Sequence, residues 1–420
     1  MRIRFVAMIE SDGSPRDLVA LVVGRRGSLV DTGEGWRPWR LLDPDGAPVA
    51  AVTAFFSDLS AAGRSAATQR SYGMALLRWF RFLWAVEVPW NEATQVEARD
   101  FSIWIRSFDK PSRREGAPEP KPNPVTGKVG PGRKYASSTR AHSETVLRNF
   151  YEFHRESGSG PMINPFPLSR GRRRDGRANA HHNPMEPYRR ERSGQYRPRL
   201  VPRIPRSIPD SCFDELFVRL GSHRDRALVA FWVSTGTRAS ELLGCKRADA
   251  DTGRQLITVV RKGSRVLQQV PASPDAFVWL RLYQQQMHGL VSAGGDDPLW
   301  WTLRKPFRPL TYHAAHRMFT RVNALLDANW TLHDLRHTAA YRMARDPGMP
   351  ITDVQWVLGH ASLTTTQIYT NPVPEEVIAS VLAHHVRRAN PDEQPRAGDD
   401  TSTQRYRPES LDVLFGRGVR

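Results

Sequence analysis

Cysteine is nearly absent from this chain: Cys212 and Cys245 are the two among 420 residues. Two thiols make neither a disulfide framework nor a zinc site, so a reducing, cytoplasmic setting is expected. Long apolar runs are missing as well. No stretch approaches the ~18 residues that would suggest a membrane span. Glu10, Asp12 and Arg16 interrupt any secretory signal near the N-terminus. No carboxylate cluster accompanies the basic residues, which argues against a metal-dependent nuclease. His181 and His182, like His384 and His385, lack partners at metal-ligand spacing and read as surface pairs. Neither a metal nor a cofactor is expected. Negative charge is also in deficit: 43 Asp and Glu face 61 Lys and Arg, a formal net charge of +18, with arginine greatly outnumbering lysine. Such an excess favours a polyanionic partner, because each phosphate neutralised releases a condensed counterion.

The chain reads as several segments. Residues 1–47 are Gly- and Asp-rich, with a short apolar stretch at 18–23, and form an N-terminal extension to which no role is assigned. Helical periodicity then begins. Val52, Phe55, Phe56 and Leu59 fall on one face, as do Leu76, Trp79, Phe80 and Leu83. Phe101, Trp104 and Ile105 mark a third helix, and Val146, Leu147, Phe150 and Tyr151 a fourth. Four such helices predict a small all-α domain over 48–160, interrupted at 109–135 by a stretch with six prolines. Residues 161–209 are expected to be an Arg-rich linker: 170–206 hold twelve Arg against three acidic residues, with scattered Pro and Gly. Helices resume at 210 and recur at 227–234, 275–288, 312–327, 332–345, 351–358 and 374–385. Between the second and third, residues 255–260 and 266–270 are β-type runs around a tight turn at 261–265, a hairpin. The second domain, 210–389, is thus predicted to be mostly helical with one small antiparallel sheet. Residues 390–420 read as a polar tail.

Five features follow one another through that domain. Ser234-Thr-Gly-Thr-Arg238-Ala-Ser-Glu241-Leu-Leu places an arginine where a glycine turn enters a helix. Lys262 sits at the hairpin tip. His333-Asp-Leu-Arg336-His337-Thr puts His333 and Arg336 on one helix face. Leu358-Gly-His360 closes a short helix, and Tyr369 lies nine residues beyond His360. Each alone has an ordinary reading: a dipole or surface arginine, a solvated lysine, a helix-end histidine, a half-buried tyrosine. Their order and spacing together do not.

On these motifs residues 210–386 resemble the tyrosine recombinases, the phage integrases and their chromosomal relatives. The preceding helices look like that family's SAM-like core-binding domain. The resemblance implies a mainly α fold and site-specific DNA recombination: strands are cut and rejoined through a 3′-phosphotyrosyl link, without metal. The catalytic set implied is Arg238, Lys262, His333, Arg336, His360 and Tyr369. Guanidiniums suit the extra charge of a pentacoordinate phosphorane, because they bind phosphate oxygens bidentately and stay charged. A phenol with an ordinary pKa near ~10 needs help to lose its proton. The departing 5′-hydroxyl needs one, which Lys262 can deliver. His333 and His360 would bind the phosphate or manage the tyrosine proton. His337 and Glu241 read as supporting residues. Arg261 stands where the family often has glycine, and Arg261 and Arg265 both compete with Lys262 for the hairpin role. Implied partners are double-stranded DNA, a homotetramer on paired sites and accessory directionality proteins, in a nucleoid-associated cytoplasmic protein with no membrane contact. Two other readings remain, a type IB topoisomerase with a similar pocket and a catalytically silent DNA-binding relative.

Overall fold

The computed structural model describes residues 16–18, 20–110, 121–130, 132–169, 193–199, 207–370, 378, 381–383 and 385–386. The chain divides into two compact units, residues 1–202 and 203–420.

The first unit is a four-helix core: α1 (Ala50–Ala61), α2 (Ala66–Ala85), α3 (Gln95–Ser107) and α4 (Ser137–Glu156). Local chemistry sets the helix starts. Ser65 caps α2 by accepting from the Thr68 N–H, and Thr94 with Glu97 forms a reciprocal capping box on α3. The apolar faces read from the sequence are the buried ones. Trp79 is fully buried, meets Phe101, Tyr151 and Phe166 edge-on, and donates its indole N–H to the Tyr151 hydroxyl at 2.9 Å.

Two segments contribute more than their composition suggests. Within residues 1–47, β1 (Ser28–Asp31) and β2 (Trp39–Leu42) form an antiparallel hairpin packed on α1 and α2. Leu41 is buried in the helical core, and Arg81 of α2 donates to the Arg26 carbonyl at 2.8 Å and to the Gly27 carbonyl at 2.9 Å. Phe166 and Ile208 lie inside the expected linker, yet each is 1% exposed, Phe166 in the first unit's core and Ile208 in the second's. An average over Arg, Pro and Gly conceals single apolar anchors. Leu168 also pairs antiparallel with Gly194, with Ser169 N–H donating to the Ser193 carbonyl and Gln195 N–H to the Pro167 carbonyl. Most of the Arg-rich run, 170–192, lies outside the described residues; its two ends meet on the first unit. The Pro-rich stretch is likewise paired at its base, Asp109 with Lys134.

The second unit is built around α6 (His223–Thr235), whose residues from Ala227 to Trp232 are all buried. A helix apolar all round is a central helix. Helices α8 (Pro274–Gln286) and α10 (Leu332–Ala344) pack against it, and α5 (Asp210–Val218) and α9 (Tyr312–Leu325) contribute to the same core. Short helices α7 (Ala239–Leu243), α11 (Ile351–Leu358) and α12 (Leu363–Gln367) carry the motifs. The expected hairpin is β4 (Leu256–Val260) and β5 (Leu267–Pro271), with Val260 opposite Leu267. A two-residue strand, β3 (Ala250–Asp251), adds an edge that periodicity could not register, giving the antiparallel order β3-β4-β5. The fold is mainly α with a small antiparallel sheet, as expected. Past Tyr369, residues 381–383 are helical, and Ile378, Val381 and Leu382 are exposed. Val377 and the tail from 390 lie outside the described residues.

Candidate active site

Two glycine turns position the site. Gly236 ends α6 in the left-handed region (φ +61), and a Cβ there would stand 2.6 Å from Leu358. The chain reverses at that point, so Arg238 starts α7 at its N-cap. Gly359 ends α11 in the same conformation, and a Cβ there would stand 2.8 Å from the Arg261 guanidinium. Only glycine meets both the positive φ and the close approach. His360 follows this turn, and α12 then delivers Tyr369.

Glu241 is the electrostatic centre. Its side chain is 1% exposed. One carboxylate oxygen accepts from Arg238 Nη1 at 2.8 Å and from the Lys262 N–H at 2.9 Å; the other accepts from the Arg238 N–H at 3.0 Å and Arg261 Nη1 at 3.1 Å. Burial pushes this carboxyl up, but the backbone N–H groups of Lys262 and Arg238 and the Arg238 guanidinium outweigh it, and the group is held below the usual carboxylate range. One buried anion thus joins the α7 arginine to the hairpin.

Arg261, a rival to Lys262 on sequence grounds, does something different. It is 4% exposed. Its guanidinium bonds Gln268 across the hairpin, Glu241 and the Val357 carbonyl at the end of α11. It clamps β4 to the helix that precedes His360, while Lys262 itself is exposed at the turn.

Arg336 is 3% exposed and donates to the Gly236 carbonyl at 2.6 Å and the Leu358 carbonyl at 2.8 Å, tying the two glycine turns together. Burial, followed by repulsion from Arg238, lowers its pKa to about 10, so it remains cationic at neutral pH. His360 bonds Thr366 through Nδ1 at 2.9 Å, and its ring lies parallel to that of Tyr369 with centroids 6.4 Å apart. Burial, then the charges of Arg336, Arg238 and Arg261, push its pKa down to about 4, which makes it a neutral imidazole. Tyr369 is 4% exposed; burial raises its pKa and Arg336 partly counters this.

Five of the six residues singled out from the sequence are brought together here: Arg238 and Lys262 share Glu241, His360 lies parallel to Tyr369, and Arg336 interacts electrostatically with Arg238, His360 and Tyr369. His333 is exposed on α10, with its ring 4.3 Å from that of His337, centroid to centroid. The hydrogen bond to the phenol comes from a residue that reads from the sequence as merely supporting: His337 Nδ1 lies 2.7 Å from the Tyr369 hydroxyl. Sequence reasoning gives it only a supporting role, although it lies four residues after His333 on the same helix face, and that i,i+4 spacing is the signal available to find it.

The chain is similar to known proteins in sequence and in fold. Residues 214–376 match the model of the phage integrase family. The tyrosine recombinase XerC of Chlamydia caviae is 31% identical over 182 residues, which cover 40% of this chain and 57% of that protein. The tyrosine recombinase XerD of Xanthomonas axonopodis pv. citri is 27% identical over 203 residues, covering 44% and 66%. The chain therefore spans less than two thirds of either relative's length. Among solved structures, the Tn1549 transposon integrase in complex with circular intermediate DNA aligns at a TM-score of 0.52 and 15% identity, over 79% of this chain and 98% of that one. A lambda integrase dimer bound to a core site aligns at 0.51 and 14%, over 86% and 82%. At such identities the likeness is one of fold. With the motif order, the fold and the matches to sequence relatives in agreement, residues 214–376 carry a phage integrase domain similar to that of the tyrosine recombinases.

Proposed function

We infer that this protein is a site-specific DNA recombinase that cleaves and rejoins strands through Tyr369, serving the integration, excision or transposition of a mobile element. The observation carrying this is the convergence of Tyr369, Arg238, Arg336 and a neutral His360 around two glycine turns, beside a hairpin that presents Lys262. Arg238 is about one third exposed, so its fork is open to a phosphate on one side while Glu241 fixes the other. In this reading Arg238 and Arg336 hold the non-bridging oxygens as negative charge grows at phosphorus, an effect worth roughly a hundredfold or more per donor. Lys262 protonates the 5′-oxygen as it departs, and His360 and His333 donate to the phosphate. The bond energy stays in the phosphotyrosyl link, so another strand's 5′-hydroxyl can rejoin without ATP. Double-stranded DNA is the substrate, bound in the cytoplasm by four protomers on paired sites, with accessory proteins setting direction. The exposed Ile378, Val381 and Leu382 support the assembly, since an apolar face left uncovered in the monomer is free to meet a neighbouring protomer.

The decisive test is covalent trapping. Wild-type protein should form an SDS-resistant adduct on its site DNA in the presence of a chelator, and Tyr369→Phe should bind the same DNA with unchanged affinity and form none. A persistent adduct in the variant would move the nucleophile elsewhere, with Tyr341 the nearest alternative in sequence.

A further inference from the structure

The nucleophile's proton has to go somewhere, and three imidazoles stand near it. His360 keeps its ring parallel to the phenol and spends Nδ1 on Thr366. Burial and three neighbouring guanidiniums hold it near a pKa of about 4, too low to take a proton from a phenol efficiently at neutral pH. His333 is exposed, with its ring against that of His337. His337 is half-buried, with Nδ1 2.7 Å from the reacting oxygen, inside hydrogen-bond reach for direct transfer. Facing its ring are Tyr369 from the end of α12, His333 from its own helix and His360 from the turn after α11; Arg336 precedes it in the chain.

We propose that His337 is the general base of the cleavage step, taking the Tyr369 proton on Nδ1, and the acid that returns it on rejoining. This rests on the recombinase reading above and deepens it. The step balances without a further reactant. In the Nε2–H tautomer, Nδ1 presents a lone pair to the phenol. The O–H bond breaks and its proton moves to Nδ1 while the phenol oxygen forms its bond to phosphorus. The bond from phosphorus to the 5′-oxygen breaks, and that oxygen takes a proton from the Lys262 ammonium. Imidazolium and neutral amine result, and rejoining runs both transfers backward.

The test is single-turnover adduct formation on site DNA whose 5′-bridging oxygen is replaced by sulfur, which departs without a proton and so removes the Lys262 limb from the pH profile. Wild type should show a rate that rises with pH and then reaches a plateau. His337→Ala should bind DNA as wild type does, react about 10²–10⁴-fold more slowly, lose the plateau, and regain rate with added imidazole. His337→Gln preserves a side chain able to hold the phenol but unable to accept its proton, so it should stay slow even where the Ala variant folds poorly. Full activity in the Gln variant, or an Ala variant with the wild-type pH profile and no imidazole response, would reduce His337 to a positioning role and overturn the proposal. If wild type itself formed no adduct, the recombinase reading would fail, and the assignment of the base would not be the cause.

Discussion

Replacing Glu241 by glutamine changes one oxygen to an NH₂ and leaves the shape intact, yet it should be among the most damaging substitutions in the second unit. Four donors converge on this carboxylate. An amide can accept on one side only, so whichever way it turns, two donors face an NH₂. One is a backbone N–H and the other a guanidinium, and Arg261 is itself 4% exposed. Hydrogen bonds to a charged group contribute roughly 1.5–3 kcal/mol each, and removing one partner of a buried ion pair costs about 3–5 kcal/mol. A loss of about 3–5 kcal/mol follows, not the sum, because the same desolvated charges enter both figures. For a unit of this size each kcal/mol moves Tm by roughly 2–4 °C, so calorimetry on the full chain should show the transition of the second unit at least ~6 °C lower. The pH dependence gives a second reading. The folded-state pKa of Glu241 is lowered, so its contribution is complete above the unfolded value of about 4.5 and is lost as pH falls through the folded one. Wild type should therefore converge toward the variant in stability as acid is added below that point. A Tm shift under ~2 °C at pH 7, or a gap that does not narrow in acid, would refute the claim that Glu241 holds the site together.

Lys262→Ala should lose cleavage on ordinary DNA and regain much of it on the sulfur-substituted substrate, followed by adduct yield against time; no recovery would remove Lys262 from the acid role. Replacing six arginines of 170–192 by serine should weaken binding to every duplex alike and shallow the slope of log K against log salt, by at most about one unit for each phosphate no longer neutralised. A gel-shift series across salt concentrations checks it, and an unchanged slope would mean that these residues touch no phosphate. Truncation after Thr370 should leave DNA binding intact and reduce tetramer yield on paired sites in light scattering. Equal yields would show that the apolar face at Ile378, Val381 and Leu382 has no part in assembly.

What could be read from the sequence follows from how each feature is encoded. The buried faces of α1 to α4 were legible because a period of 3.6 repeats over several turns. Gly236 and Gly359 were legible as turns, and the five motifs as a set, because spacing along the chain survives folding. β3 was not, since two residues carry no period. Nor was the burial of Leu41, Phe166 and Ile208: single apolar residues in polar stretches look alike whether anchored or exposed, and only tertiary contact distinguishes them. Arg261 and His337 illustrate the same limit at the site. Both flank residues that the motifs name, and neither role is visible until side chains from separate segments meet.

The pairing of Leu168 with Gly194 gives the arginine-rich stretch an evolutionary latitude that a tether would lack. Joined at its base, with Arg197 donating to Thr145 at 2.6 Å just beyond, the excursion starts and ends at one place on the first unit. Because Leu168 and Gly194 are already paired, the number of residues between them does not set where the chain resumes on the first unit. Positive charge can accumulate or drain away there as a nearly independent variable. Selection could adjust how strongly the protein holds any duplex without disturbing Glu241, Arg336 or the turns that set Tyr369.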